Sequence, residues 1–351
     1  MSISTTTSVL HQIPLCLIKP ANPVTRCSRL IDIFKKIKKR AFSESEKSQV
    51  RALFQKLYPG KDPGSITEHK ITKPNGKKRR LLVLSSAFET GGEKSIQLCA
   101  TRSCTGALKY WAMRIPHRHT QTHHRSKIKG DHPIPFSRKV EFEASRKREN
   151  GRITPRTLFF DRFTLQRLAM NGDLHGYAIK ITPERKALFA KKILTACIAY
   201  WNEGLIHGDI KLENILVDED ENVFLTDFGF ADKSSPKELR IISGTTRALI
   251  PRCIHTTKRR ADYYALGIAL FELYLGRPYA VNSKNSLSRE FQDSQKEFYI
   301  PALRRALISF ESKQPKSPLD ERIFQFTKRL IKEAHVVKLK DIKTFAATLN
   351  L

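Results

Sequence analysis

A chain of 351 residues, 40% of them hydrophobic, is long enough for one two-lobed enzyme domain plus a modest extension. Its six cysteines (Cys16, Cys27, Cys99, Cys104, Cys197 and Cys253) form no C-x-x-C pair, which argues against a disulfide frame or a cysteine zinc site and for reduced thiols in the cytosol. A formal charge of +30 attracts anionic lipid, nucleic acid or acidic protein, but the excess is diffuse and no nucleic-acid module motif accompanies it. No apolar run approaches the ~18 residues needed to span a bilayer. Residues 1–20 lack the basic start and long apolar core of a secretory signal, while their Ser/Thr-rich, acid-poor character leaves another targeting or secretion signal open.

Residues 1–27 show no periodicity. Leu30, Ile33, Phe34 and Ile37 then follow the i, i+3, i+4, i+7 spacing of an amphipathic helix, with Lys35, Lys36, Lys38, Lys39 and Arg40 on its other face. Packing of this helix and the next on the following domain is the favoured reading, and docking on an anionic membrane surface is the competing one. Ser43 and Glu46 form a capping-box pattern ahead of Val50, Leu53, Phe54 and Leu57, which predicts a second helix. Asn75-Gly76 marks a tight turn between extended segments, with Lys77 to Arg80 at a solvated hairpin end. Leu81 to Val83, Ser95 to Ala100 and Leu108 to Ile115 read as three successive strands. The polar stretch from Ile115 to Val140 holds His117, His119, His123 and His124, and reads as a basic loop rather than a metal site because no Cys or carboxylate is regularly spaced with them. A helix is predicted from Arg138 to Arg148. Phe189, Ile193, Ala196, Cys197 and Tyr200 mark another ending near Glu203, and Phe324 to Ile331 a later one.

The chemistry is concentrated in His207-Gly208-Asp209-Ile210-Lys211-Leu212-Glu213-Asn214, followed by Asp227-Phe228-Gly229. A carboxylate beside an acceptor hydroxyl, a cation near a phosphate and two oxygen ligands for Mg²⁺ suit phosphoryl transfer. Together these motifs resemble the H-R-D-L-x-x-x-N and D-F-G of the protein-kinase family, and the chain resembles a divergent Hanks-type Ser/Thr member over about residues 80–345. The resemblance implies an α+β, two-lobed fold: a basic extension over 1–65, a small antiparallel-sheet lobe over 66–168 and a larger, mostly helical lobe over 169–351. It implies ATP and Mg²⁺ as ligands and a protein substrate. Asp209 is then the catalytic carboxylate, Lys211 the cation of Ser/Thr-directed enzymes, and Asn214 and Asp227 the metal ligands. Leu216 and Ala112 would enclose the adenine, and the stretch Leu165-Gln166-Arg167-Leu168 would form the hinge at its edge. Asp173 would meet the ribose or cap a helix. Gly244-Thr245-Thr246 to Pro251-Arg252 fits the end of an activation segment, with Thr245 touching Asp209 and Lys211. Asp262 to Leu273 resembles the D-x-W-x-x-G helix, with Tyr264 in place of Trp.

Other positions depart from the pattern. The strand lysine is Arg114, which is not equivalent to a compact ammonium. Lys109 in another register, or Lys94 from the loop above the phosphates, are the competing cations. Glu141, with Glu143 as competitor, is the expected partner carboxylate. The Gly-rich loop shrinks to Gly91 and Gly92 beside Glu93, Gly208 replaces the Arg of H-R-D, and Arg252 replaces the Glu of A-P-E. Intact Asp209, Lys211, Asn214 and Asp227 point to an active Ser/Thr kinase. The departures point to a pseudokinase scaffold. A cytoplasmic place of action, or delivery into a host cell for a bacterial effector, fits the composition, and the oligomeric state is left open.

Overall fold

The fold is taken from a computed structural model that describes residues 40–72, 76, 78–90, 94–103, 105–116, 154–159, 163–228, 231–233, 258–275 and 317–349. The expected first basic helix up to residue 39, Asn75, the His-rich stretch, the helix with Glu141 and Glu143, and the activation segment with Thr245 lie outside the described residues. Gly91, Gly92, Glu93, Gly229, Arg252 and the side chain of Lys94 do as well.

Two compact units are present, Met1–Ala87 with Gln97–Tyr110, and Phe88–Ile96 with Trp111–Leu351. In the first, helix α1 (Glu44–Leu57) starts where the capping box places it. The Ser43 side chain accepts from the Glu46 amide, and the Glu46 carboxylate accepts from the Ser43 amide at 2.8 Å. Val50 and Phe54, four apart, form its buried stripe. Strand β1 (Ile66–Thr72) pairs antiparallel with β2 (Lys78–Thr90), from Ile66 opposite Leu84 to Thr72 opposite Lys78. Gly76 turns their connection at φ +72°, a conformation that costs glycine least. Leu81, Leu82, Val83 and Leu84 are all buried, so both faces of β2 are covered. Lys78 to Arg80, expected at the hairpin end, lie within β2, and Arg80 pairs with Glu68 on β1.

The sheet continues through β3 (Lys94–Arg102), β4 (Leu108–Pro116), β5 (Thr157–Phe159) and β6 (Thr164–Arg167) in the order β1-β2-β3-β4-β6-β5. Residues Trp111 to Arg114 of β4 lie opposite Arg167 to Thr164 of β6. This register sets Ala112 against Gln166 and Arg114 against Thr164.

Helices dominate the rest of the second unit. Short α2 (Leu174–Tyr177) precedes α3 (Pro183–Asn202), whose start at Pro183 uses the position where a missing N–H costs nothing. Helix α4 (Lys258–Leu275) is buried from Ala261 to Tyr274, the mark of a helix at the centre of a core rather than on its surface. Helices α5 (Pro318–Glu333) and α6 (Leu339–Ala347) follow. Gly267 lets α4 and α5 approach closely, since a Cβ there would stand 2.9 Å from the Leu330 Cβ. Tyr200, Trp201, Tyr264, Phe271 and Phe324 fill this core. Between the helices, β7 (Leu205–Ile206) pairs with β10 (Asp232–Lys233), and β8 (Ile215–Val217) with β9 (Val223–Leu225). The architecture is α+β, as expected. Among the described residues no helix is long and apolar enough to cross a membrane.

Candidate active site

The segment from β7 to the residue after β9 is held from below by apolar anchors: Ile210, Leu212, Ile215, Val217, Val223 and Leu225 are buried. Asp209, Lys211, Asn214 and Thr226 each sit beside one of them, so their positions are set by core packing rather than by loop entropy. Asp262 of α4 supplies the second anchor. Its carboxylate accepts from the amides of His207 and Gly208, both at 2.8 Å, and from Trp201 Nε1 at 3.0 Å. Burial pushes Asp262 above the ordinary carboxylate range, and the three N–H donors and nearby His207 work against that. Gly208 has φ +81°, a backbone state in which a side chain would be strained. The glycine in place of the family's arginine therefore suits this turn.

Asp209 is 4% exposed. Lys211 Nζ stands 3.0 Å from its Oδ2, and Asn214 Nδ2 donates to the same oxygen at 2.9 Å and to the Asp209 carbonyl at 2.8 Å. The 3-10 turn Leu212–Asn214 brings Asn214 back over Asp209. Both amide donations of Asn214 go to Asp209, which leaves Oδ1 as its remaining side-chain acceptor. His207 is fully buried, and burial lowers its pKa, against the pull of Asp262 and Asp209. The neutral ring has one tautomer that satisfies both neighbours. Nε2–H donates to the Thr226 carbonyl at 2.9 Å, and Nδ1 accepts the Asp209 amide at 3.3 Å. The Thr226 amide donates to the Asn214 carbonyl at 2.9 Å. Thus Asp209, Asn214 and the residue before Asp227 belong to one hydrogen-bonded unit.

Asp227 adopts φ +61°, uncommon for a side-chain-bearing residue and most tolerable for Asp or Asn. Its Oδ1 lies 3.2 Å from Arg114 Nη2. Of the competing cations, Arg114 is one whose side chain is described, and it lies at Asp227. Phe228 stacks on Tyr200 with centroids 5.4 Å apart and contacts the His207 ring at 5.1 Å, which locks the start of the following segment into the core.

Other expected positions fall as follows. Leu216 lies in β8 and Ala112 in β4, both half-buried. Leu168 directly follows β6 and is buried. Asp173 caps α2, accepting from the Gly176 amide at 2.8 Å, and forms a bridge with Leu216. Gln166 differs from expectation. It lies inside β6 and not in a connecting hinge, with its amide turned to Arg114 and Thr226. Buried Thr164 and Gln166 interrupt the apolar pattern, so this short strand reads as a loop. Sequence reasoning missed the roles of Thr226 and Asp262. The Asp at the head of the α4 motif was the available signal for Asp262; nothing in the local pattern marked Thr226.

The protein kinase domain family matches residues 161–340, just over half of the chain. The chain belongs to that family. Among similar curated proteins, developmentally-regulated protein kinase 1 of Dictyostelium discoideum is 33% identical over 118 residues, covering 32% of this chain and 16% of that protein. Serine/threonine-protein kinase AtPK1/AtPK6 of Arabidopsis thaliana is 34% identical over 107 residues, covering 29% and 23%. RAC-beta serine/threonine-protein kinase A of Xenopus laevis is 25% identical over 186 residues, covering 48% and 35%. The chain therefore spans between about a sixth and a third of the length of these relatives. The α+β architecture described above accords with that family. The family match begins after β4, so Ala112 and Arg114 lie outside it.

Proposed function

We propose that this kinase family member transfers the γ-phosphoryl group of ATP to Ser or Thr hydroxyls of a protein substrate. The observation that carries the reading is the Asp209 carboxylate, buried yet aimed by Lys211 and Asn214 and tied through His207 and Thr226 to Asp227. Asp209 would accept the substrate hydroxyl's hydrogen bond and, as transfer completes, its proton. In a loose transition state this positioning matters more than basicity. Lys211, beside Asp209, would offset charge on the transferred oxygens. The donor set fits Mg²⁺: Asn214 Oδ1 and the Asp227 carboxylate are hard oxygens. Bound there, Mg²⁺ would neutralise phosphate charge. Leu216, Ala112 and Leu168 supply apolar or backbone surface for the adenine, and Arg114 the cation for the phosphates. A cytosolic place of action belongs to the same proposal.

The test is incubation of the purified chain with γ-labelled ATP and Mg²⁺. Label on Ser or Thr that vanishes in Asp227→Ala supports the reading, and no label with any protein acceptor removes it. The Arg114–Asp227 contact favours one second reading, a nucleotide-binding scaffold, because an arginine that keeps Asp227 competes with a metal for it. Mg-ATP binding without transfer would select that reading.

A further inference from the structure

We propose that Gln166 is a positioning residue, and that its amide is what makes an arginine serviceable at position 114. The inference rests on the kinase reading only for the identity of its ligand. Its basis is a connected set of bonds around the buried Gln166 amide and Thr226 hydroxyl. Gln166 Nε2 donates to Thr226 Oγ1 at 3.1 Å, and Thr226 Oγ1 lies 3.3 Å from Gln166 Oε1, to which it donates. Arg114 Nη1 donates to the same Oε1 at 3.2 Å, while Nη2 reaches Asp227 Oδ1 at 3.2 Å.

This set has one consistent assignment. A guanidinium only donates, so the amide must present its oxygen to Arg114 and its nitrogen to Thr226. Both lone pairs of Oε1 are then used. Gln166 is 4% exposed, so water does not replace either bond. The ladder explains why the geometry is fixed. Gln166 lies opposite Ala112 in the β4–β6 register, two residues from Arg114 on the same face of β4. The short Ala112 side chain leaves room for the amide to reach the guanidinium.

The chemistry explains why a clamp is needed. Arginine is longer than lysine and spreads its charge over a planar fork. A single bond to Asp227 would leave that plane free to rotate about it. A second bond from Nη1 to Gln166 sets the plane, and Thr226, one residue before Asp227, ties the clamp to the backbone that carries the carboxylate. Gln166 thus couples the cation to the metal-binding aspartate from both ends. It is placed to act through Arg114 and Asp227, with no contact to the reacting atoms required.

The test is a replacement cycle in the full chain, Gln166→Met and Arg114→Lys, singly and together. Methionine keeps the length and the unbranched shape without the amide. Two readouts are taken: the Mg-ATP dissociation constant by calorimetry, and the unfolding midpoint without nucleotide. Gln166→Met should weaken Mg-ATP roughly five- to tenfold when Arg stands at 114, and less than about twofold when Lys does, since an ammonium has no second nitrogen to clamp. Equal losses in both backgrounds overturn the proposal. Thr226→Val, which removes the hydroxyl half of the exchange, should show the same dependence on Arg114 and serves as the second variant. If the unaltered chain binds no Mg-ATP, the kinase reading fails, and the nucleotide-free midpoints then decide the clamp alone. A double replacement no worse than the larger single one, within about 1 °C, upholds it, and additive lowering overturns it.

Discussion

Two arginine–carboxylate pairs in this chain look alike in sequence terms and behave differently in the structure. In the first unit, Arg102 on β3 grips Glu46 of α1 through Nε and Nη2, both at 2.7 Å, and its other donations reach the carbonyls of Arg40 at 3.0 Å and Ala41 at 3.2 Å. The guanidinium is 1% exposed and lies over the Phe42 ring. In the second unit, Arg114 meets Asp227 through one nitrogen at 3.2 Å, and the Asp227 side chain is 38% exposed. The first geometry is closed: two parallel bonds, further donations to two carbonyls and almost no exposed surface. The second is open on the carboxylate side, where a ligand can enter. A closed pair holds structure; an open one can exchange partners.

The largest effect should come from cutting the closed pair. Arg102→Met is expected to cost about 3–5 kcal/mol in urea unfolding, because it takes the bidentate cation from a buried carboxylate. Arg114→Met should cost less, about 1–2 kcal/mol, because water can solvate Asp227 while the buried Gln166 Oε1 loses one bond. Equal costs would erase the contrast. Acid should report the same pair. Burial raises the Glu46 pKa, but the Arg102 bonds and the Ser43 amide outweigh it and hold the carboxyl at about 2, against an ordinary 4.5. A depressed folded-state value means the stabilisation is complete above about pH 4.5 and is lost as pH falls through about 2. The loss is on the order of 3 kcal/mol, and Glu46→Gln should flatten that limb of the stability curve.

Mg-ATP should sharpen the contrast from the other side. At a hundredfold excess over its dissociation constant it should add about 2.7 kcal/mol to stability. Asp227→Asn should reduce that gain, while Glu46→Gln should keep it on a lower baseline. The smallest change in stability is expected from removing residues 1–39, which carry seven Lys/Arg against one Asp: within about 0.5 kcal/mol. We propose that these residues dock on anionic membrane, so their removal should weaken salt-sensitive binding to phosphatidylserine vesicles. Removing residues 1–60 instead takes Glu46 away from Arg102 and should destabilise the fold. Vesicle binding that neither salt nor the shorter deletion changes would discard the docking role.

What the sequence revealed follows the range of the interactions. Ser43 and Glu46 announce a helix start because both partners of a capping box lie within one turn. Asp209, Lys211, Asn214 and Asp227 are legible because their spacing is tied to short apolar runs that become β8 and β9. The second bond set of Glu46 is invisible locally, since Arg102 is 56 residues away. Asp262 shows as a helix-motif residue, but its hold on His207 and Gly208 exists only after α4 packs beneath the loop. Gln166 was misplaced for the opposite reason: a buried polar residue in a four-residue strand looks like a loop until its partners are known.

The central claim is that Asp209 works as the catalytic carboxylate of a kinase, and Asp209→Asn tests it most directly. Mg-ATP affinity and γ-phosphoryl transfer are to be measured on the same two preparations. The expected result is an affinity within about threefold of the unaltered chain and a transfer rate lower by roughly 10² or more. Equal transfer rates in the two proteins would contradict it.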